Sequence, residues 1–588
     1  MNTTHSSNHI KLYWLAFLLA LGIRLYQLGT GPLSDIEATW ALQALSLAHG
    51  ENVVLGAQPA YLILTSLLFS ILKNTNFMAR LVPALAGSLL VWLPYFFRRW
   101  LVGSGWMRWA GVVMAFSLAI DPGLVSLSRQ AGSLIPALVF TLLALASLYN
   151  HRMIWVGIFT GLALLSGPAF LQGLLILGVT WGILSLAIRN PATPPQDESQ
   201  TQQIEEPFTT SAIRAGVFAF LITLLAAGTL FLRMPQGLSA LADSISAYFR
   251  SWVSPSGVPV LRLPAAVLVY QPLMLILAIV CAARAWFASK DESRPRQLAR
   301  DLSIWAVVAF IIPWLYAGRQ VGDMAWALIP LWALAAIEIS RSLSSTEERS
   351  TRLVAGGLGL LLCLFAVIAW FNLLSVGRYQ VNLQLYWGVI IGAFLLAVVA
   401  VLLVMAGWSA RAARIGVVGA LCIVLGLQLI SNTWGISILR QNSVQDLWSI
   451  PPSTGQIDLL MSTLSDISSW NIGLRNQLQV IVTVDSPALK WALRNYPYAR
   501  FESILASTES PPVVITLKGA EEPQLVQQYR GQDFVWRLYP GWTGIFPPDF
   551  INWLAFRKAP LGQEQIILWA RTDVFPGGDT GATGNVVP

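Results

Sequence analysis

The stretch RLYQLGTGPLSDIEATWALQAL (residues 24–45) decides the reading of this chain. It follows directly on an apolar run (11–28), which is interrupted by Gly29, Gly31 and Pro32, and it then places two carboxylates, Asp35 and Glu37, ahead of an amphipathic helical pattern, 38–50. Charged side chains at the exit of a membrane helix are costly unless they face water or a cleft. A capping role is also open. Ser34 or Asp35 fits an N-cap, and Glu37 in the first turn would complement the helix dipole.

Working outward, composition sets the class. Hydrophobic residues make up 55% of 588 and charged residues 11%, against about 25% charged in soluble proteins. The chain reads as a polytopic α-helical membrane protein. Spans of about 20 apolar residues are expected near 11–28, 80–97, 108–122, 133–150, 153–167, 169–188, 214–232, 263–284, 302–317, 324–341, 353–374, 385–406 and 414–436, about 13 in all. The run 58–73 is shorter and suits a helix lying at the surface or dipping partly in. The glycines of GGLGLLLC (356–363) read as sites of close helix packing.

The net charge of +8 is accounted for by basic loops on one side. Arg98, Arg99, Arg108, Arg152, Arg189, Arg214, Arg284, Arg341, Arg411 and Arg414 fall on alternate connections, which places the N-terminus inside. No nucleic-acid partner is expected. Residues 1–436 form the membrane domain. Within it, 190–212 is polar, acidic and Pro-containing, a composition that cannot build a core, so a disordered cytoplasmic loop is expected. From 437 the apolar runs shorten to strand length and alternate with helical patterns. A small extracytoplasmic α/β domain with a mostly parallel sheet and its own core is expected over 437–575, with a disordered tail at 576–588. The location would be the cytoplasmic membrane.

Metal and cofactor signatures are absent. Cys281, Cys363 and Cys422 lie apart in apolar runs, the four histidines form no cluster, and there is no HExxH or Walker loop. Other polar candidates lie in connections on the side opposite the basic loops. Arg129, in SLSRQAG (126–132), suits either a phosphate ligand or an Arg snorkelling at a helix end. Arg319 and Asp323, four apart in GRQVGD, suit either a phosphate site or a mutual pair.

Longer stretches carry a family likeness. Arg24-Leu25 ends the first helix, an acidic loop follows, and Gln58-Pro59 leads into YLILTSLLF. Then come ARLVPALAGSLLVWLPYFFRRW (79–100), Asp121-Pro122 with LSRQAG, and ALVFTLLALASLY (137–149). This resembles the GT-C glycosyltransferases, the superfamily of protein O-mannosyltransferases and lipid A aminoarabinose transferases. It looks closest to the prokaryotic flippase-activity-associated branch, with which ALKWALRNYPYARFE (488–502), PVVIT, YRGQDFVWRLYPGW and WLAFRKAPLGQEQIILWARTD also agree. The likeness covers about 10–190 and 475–575.

The resemblance implies a polyprenyl-phosphate-linked sugar donor, a glycan, lipid or protein acceptor, contact with membrane lipid, and catalysis on the outer face; no cofactor is expected, and the metal requirement stays open. It makes Asp35 and Glu37 the catalytic candidates, Arg129 and Arg319 the donor-phosphate candidates, and Gln58 and Asp121 candidates for substrate binding. A protein that binds lipid-linked glycans without catalysis is the alternative. The pattern departs from the family at three places. Aligning Glu37-Ala38 with the family's Glu-Ala puts Ile36 where its catalytic Asp stands, Gln58 replaces a His, and Gln130, Ala131 and Gly132 follow Arg129 where the family often has a further acidic residue and a second Arg.

Overall fold

The computed structural model describes residues 3–51, 54–98, 105–188, 209–233, 235–287, 294–343, 348–378, 383–441, 443–505, 509–519, 525 and 527–576. The chain is a polytopic helical membrane protein that carries a C-terminal sheet domain on one face. Helices occupy all thirteen expected positions. Among the described residues, eight are long and apolar enough to cross a membrane, or up to ten if each of two bent pairs counts as one span. Leu134–Tyr149 and Met153–Leu165 have 16 and 13 residues, below the roughly 20 that a full crossing needs.

Two expected spans are broken, both at a proline that removes a helical N–H. Gly105–Ile120 turns by 53° into Pro122–Ser128, and Arg262–Tyr270 turns by 98° into Pro272–Phe287. The breaks face each other. Asp121 caps the second half of the first pair by accepting from the Leu124 N–H at 2.7 Å. Its carboxylate also receives Gln271 Nε2 at 3.0 Å from the break in the second pair, and Trp332 Nε1 at 2.8 Å.

Of the glycines in 356–363, only Gly359 approaches a neighbouring helix, against the Gly416 carbonyl, while Gly356 and Gly357 face open space. The close crossing lies elsewhere. A Cβ on Gly157 would come within 2.1 Å of the Gly216 carbonyl, so these two helices meet backbone to backbone.

The C-terminal domain holds six strands: β1 Ser453–Thr454, β2 Val480–Val482, β3 Ala499–Phe501, β4 Val513–Leu517, β5 Tyr529–Pro540 and β6 Leu561–Arg571, in the order β1-β5-β6-β4-β2-β3. β2 pairs parallel with β3 and β4, but the β4–β6, β5–β6 and β1–β5 pairs are antiparallel. The sheet is therefore mixed and not mostly parallel. β5 and β6 dominate it by length, and the segment between them returns the chain antiparallel without a crossover.

The domain does not close its core alone. One apolar cluster runs from Val480, Leu489 and Trp536 into Leu33, Ala41 and Leu47 of the first loop and Tyr61 of Pro59–Ile71. Polar contacts reinforce that seam. Trp491 Nε1 donates to Asn76 Oδ1 at 2.8 Å, and Arg494 Nη2 to the Asn74 carbonyl at 3.0 Å. The segments 190–212 and 576–588, expected to lack structure, fall almost wholly outside the described residues.

Candidate functional site

Helix Asp35–Ala48 starts with a capping box. The Ser34 hydroxyl accepts from the Glu37 N–H at 3.3 Å, and Glu37 Oε2 accepts from the Ser34 N–H at 3.0 Å. This reciprocal cap fixes the first turn and turns its two carboxylates in different directions.

Glu37 points into the membrane domain. Arg80, on the second turn of Asn76–Leu89, reaches it with two nitrogens of its guanidinium: Nε to Oε1 and Nη2 to Oε2, each at 2.8 Å. The Ala131 N–H adds 2.8 Å to Oε1. The pair is buried, with side chains 4% and 9% exposed. Burial would raise the Glu37 pKa, but Arg80 and the backbone donors outweigh it and hold the carboxyl below its ordinary value. Arg80 in turn donates to the carbonyls of Leu28, Gly31 and Pro32. The ion pair thus pins the first loop to Asn76–Leu89, and the Ala131 N–H ties Glu37 to the loop that follows Arg129.

Asp35 points the other way, into the C-terminal domain. It accepts from the Ser486 hydroxyl and from the Ala488 N–H at 3.1 Å, at the N-terminus of Pro487–Ala492. Its other oxygen meets Arg537 Nε at 2.7 Å on β5, and Arg537 also pairs with Glu564 on β6. Burial alone would lower the Arg537 pKa, but these two carboxylates raise it above the ordinary value. Asp35 is therefore a clasp between domains and does not line the cavity described next.

Arg129 ends Pro122–Ser128. Its guanidinium donates to the carbonyls of Ile23, Arg24, Tyr26 and Gln27, where the first helix stops, a favourable place for a cation. The neighbouring turn is braced by Arg24, fully buried, whose Nε donates to Ser128 Oγ at 3.0 Å and whose remaining nitrogens reach the carbonyls of Ala20, Leu118 and Ala119.

These pieces enclose a cavity of about 100 Å³ between the first loop, the 126–131 turn and the segment 436–454 that leads into the C-terminal domain. Glu37, Arg80, Arg129, Gln130 and Ile36 line it, joined by Ser437, Gln441 and Ser453. Glu37 is the one carboxylate among the lining residues, against two guanidiniums. Four polar atoms of lining residues are buried without a partner: Arg129 Nε, Gln441 Nε2, Ser437 Oγ and Ser453 Oγ. Unpaired buried polar groups are rare in folded proteins. Here each can donate, so together they suit an anionic oxygen. A wider cleft of about 510 Å³ adjoins it, sharing Gln441 and Ser443 and lined by Arg440, Leu538 and Leu561.

Among the sequence candidates, the structure brings Glu37 and Arg129 to the cavity and leaves four outside its lining. Gln58 caps Pro59–Ile71 by position and accepts from the Ser133 N–H at 3.0 Å. Asp121 is fully buried in the network of the helix breaks. Arg319 lies in a separate turn and donates to the carbonyls of Val258 and Trp314, not to Asp323, which instead forms a capping box with Gln320. Asp35 is the fourth.

Sequence reading had missed Arg80 and the 437–454 polar residues. Arg80 sits inside an apolar run and reads as an interfacial cation. The second group does leave a signal, a Ser/Gln/Arg-rich stretch at the exit of the last long helix. No cluster of three or more His, Cys, Asp or Glu suited to a metal occurs among the described residues.

No family profile and no curated protein matches this chain. Solved structures do. ArnT from Cupriavidus metallidurans bound to undecaprenyl phosphate is similar at 15% identity over 84% of this chain and 85% of that one, with a TM-score of 0.49. The apo state of the same protein gives 14%, 83%, 85% and 0.44. The Archaeoglobus fulgidus oligosaccharyltransferase in complex with Zn and sulfate gives 14% identity over 70% of this chain and 53% of that one, with a TM-score of 0.35.

Proposed function

We propose that this is a membrane glycosyltransferase of GT-C type that takes the phosphate of a polyprenyl-linked sugar into the Arg129 cavity and passes the sugar to an acceptor on the outer face of the cytoplasmic membrane. The observation that carries the reading is that four residues holding a partnerless buried donor, Arg129 Nε, Gln441 Nε2, Ser437 Oγ and Ser453 Oγ, all belong to the wall of one cavity that also holds Arg80. A phosphate oxygen set there is neutralised at the moment the C1–O bond breaks and the lipid phosphate leaves. The acceptor hydroxyl oxygen forms the new bond to C1, and its proton passes to a carboxylate. Glu37 is the carboxylate in the lining, so it replaces Asp35 as the first candidate for that role.

The non-catalytic reading has a specific observation in its favour. The position of the family's catalytic Asp is Ile36, an exposed apolar side chain that lines the cavity, and all four lone-pair directions of Glu37 described above are already engaged. On that reading the protein holds a lipid-linked sugar without cleaving it.

One experiment treats both. Binding of a radiolabelled polyprenyl-phosphate sugar is measured on the parent, on a Ser437→Ala/Gln441→Ala double variant and on Ile36→Asp, with sugar transfer followed in parallel. Weaker binding by the double variant is the expected result; equal binding would remove the donor site. Transfer by the parent supports catalysis. Transfer by Ile36→Asp alone means that the parent binds and does not cleave.

A further inference from the structure

The Arg129 cavity suits a phosphate group, but at about 100 Å³ it leaves no space for the sugar attached to that phosphate. The sugar lies one bond beyond, in the space that adjoins. The cleft of about 510 Å³ does adjoin it, and its size falls in the range of roughly 300–1,000 Å³ usual for small-molecule sites. Gln441 stands at the junction. Its Oε1 faces donors on both sides, Thr30 Oγ1 of the cleft at 3.4 Å and Arg129 Nη2 of the cavity at 3.5 Å. Ser443 also lines both spaces.

The walls of the cleft limit which sugars fit. Thr30, Gln441 and Ser443 offer neutral polar groups, and Leu538 and Leu561 offer apolar surface. Among the described residues no Asp or Glu lines it, and Arg440 is its one charged wall residue. Arg440 is held from behind. Its Nε donates to Asp446 Oδ2 at 3.1 Å, and the buried Asp446 accepts the Tyr270 hydroxyl on its other oxygen at 2.6 Å. The guanidinium also lies against Gly435, where a Cβ would come within 2.4 Å of Nη2. A structural ion pair uses one nitrogen. The two terminal nitrogens make no hydrogen bond among the described residues, and the side chain stays part-exposed. Sugar hydroxyls can accept from such a fork. An ammonium group entering the cleft meets a fixed like charge and no carboxylate, which is costly.

We infer, resting on the donor reading above, that this cleft is the subsite for the donor's sugar, that it takes a sugar without an ammonium group, and that Arg440 sets this specificity by donating to the sugar's oxygens. Asp446 and Gly435 fix the guanidinium in place. Leu538 and Leu561 pack on the apolar face of the ring.

The test uses the full-length protein purified in a neutral detergent, at about pH 6, where an amine is protonated. Equilibrium binding is measured for polyprenyl phosphate without a sugar and for its glucose, glucosamine and N-acetylglucosamine forms, on the parent, Arg440→Gln and Leu561→Asp. The parent is expected to hold the glucose lipid about tenfold more tightly than the glucosamine lipid, a low figure for one like-charge contact. N-acetylation, which removes the charge, should restore the affinity. Arg440→Gln should narrow the glucose-to-glucosamine ratio and leave the sugar-free lipid unchanged. Leu561→Asp places a carboxylate at an exposed position in the cleft wall and should tighten the glucosamine lipid alone. Equal affinity of the parent for glucose and glucosamine lipids, or an unchanged ratio in both variants, would overturn the subsite while leaving the phosphate cavity standing. Failure of the parent to bind the sugar-free lipid would strike the phosphate cavity itself, and the subsite with it. Should Arg440→Gln fail to fold, Leu561→Asp decides.

Discussion

Replacing Glu37 by Gln tests the ion pair around which the site is built. Glu37 receives four donors: Arg80 Nε, Arg80 Nη2 and the N–H groups of Ala131 and Ser34. Glutamine retains one acceptor oxygen and turns an NH₂ toward two of those donors. Arg80, 4% exposed at its side chain, is left as a buried charge with only carbonyls for company. Removing one partner of such a pair costs about 3–5 kcal/mol. Arg80→Met should cost a similar amount, because the buried Glu37 then loses its counter-charge and keeps only two backbone donors. The double variant removes both charges and should fall well short of the sum, with a coupling of about 2–3 kcal/mol.

The assay is unfolding by an ionic detergent titrated into mixed micelles, read by tryptophan fluorescence for the parent, both single variants and the double variant. The pH dependence follows from the lowered Glu37 pKa. A group whose folded pKa lies below its unfolded value, about 4.3 for Glu, stabilises fully above that value. It loses the contribution as pH falls through the folded value. The gap between parent and Glu37→Gln should therefore be constant at neutral pH and close only in acid. A Glu37→Gln variant within about 1 kcal/mol of the parent, or a cycle additive within about 0.5 kcal/mol, would refute the reasoning.

Asp35→Asn should loosen the domain clasp by about 1–2 kcal/mol, at the low end for charge-assisted hydrogen bonds because the pair is part-exposed; faster hydrogen exchange at the Ala488 and Leu489 amides is the readout, and unchanged exchange would mean that Asp35 holds nothing. Residues 440–575 expressed alone should bind a hydrophobic dye in detergent-free buffer, since Leu33, Ala41 and Leu47 cover part of their core in the full chain. A cooperative transition without dye binding would show that the domain closes its own core. For topology, Asp485→Cys, whose parent side chain is 90% exposed, should react with an impermeant thiol reagent in intact cells while Ser199→Cys should not, and equal labelling of both would reverse the orientation.

The sequence by itself determined the class, the helix positions and the change of character after 437, because membrane burial and strand alternation leave local signals of length and period. It also marked the first loop as the place to look, since two acids beside a broken apolar run are visible without any partner. It could not divide their labour. Asp35 and Glu37 are two residues apart on a capped turn, so one faces β5 and the other faces Asn76–Leu89, and only the packing of those elements assigns one to the clasp and the other to the cavity. Arg80 and the 437–454 residues escaped for the same reason. An ion pair across 43 positions and a pocket wall from a distant segment leave no periodic trace, because their energy depends on burial and on a partner that only the folded chain brings near.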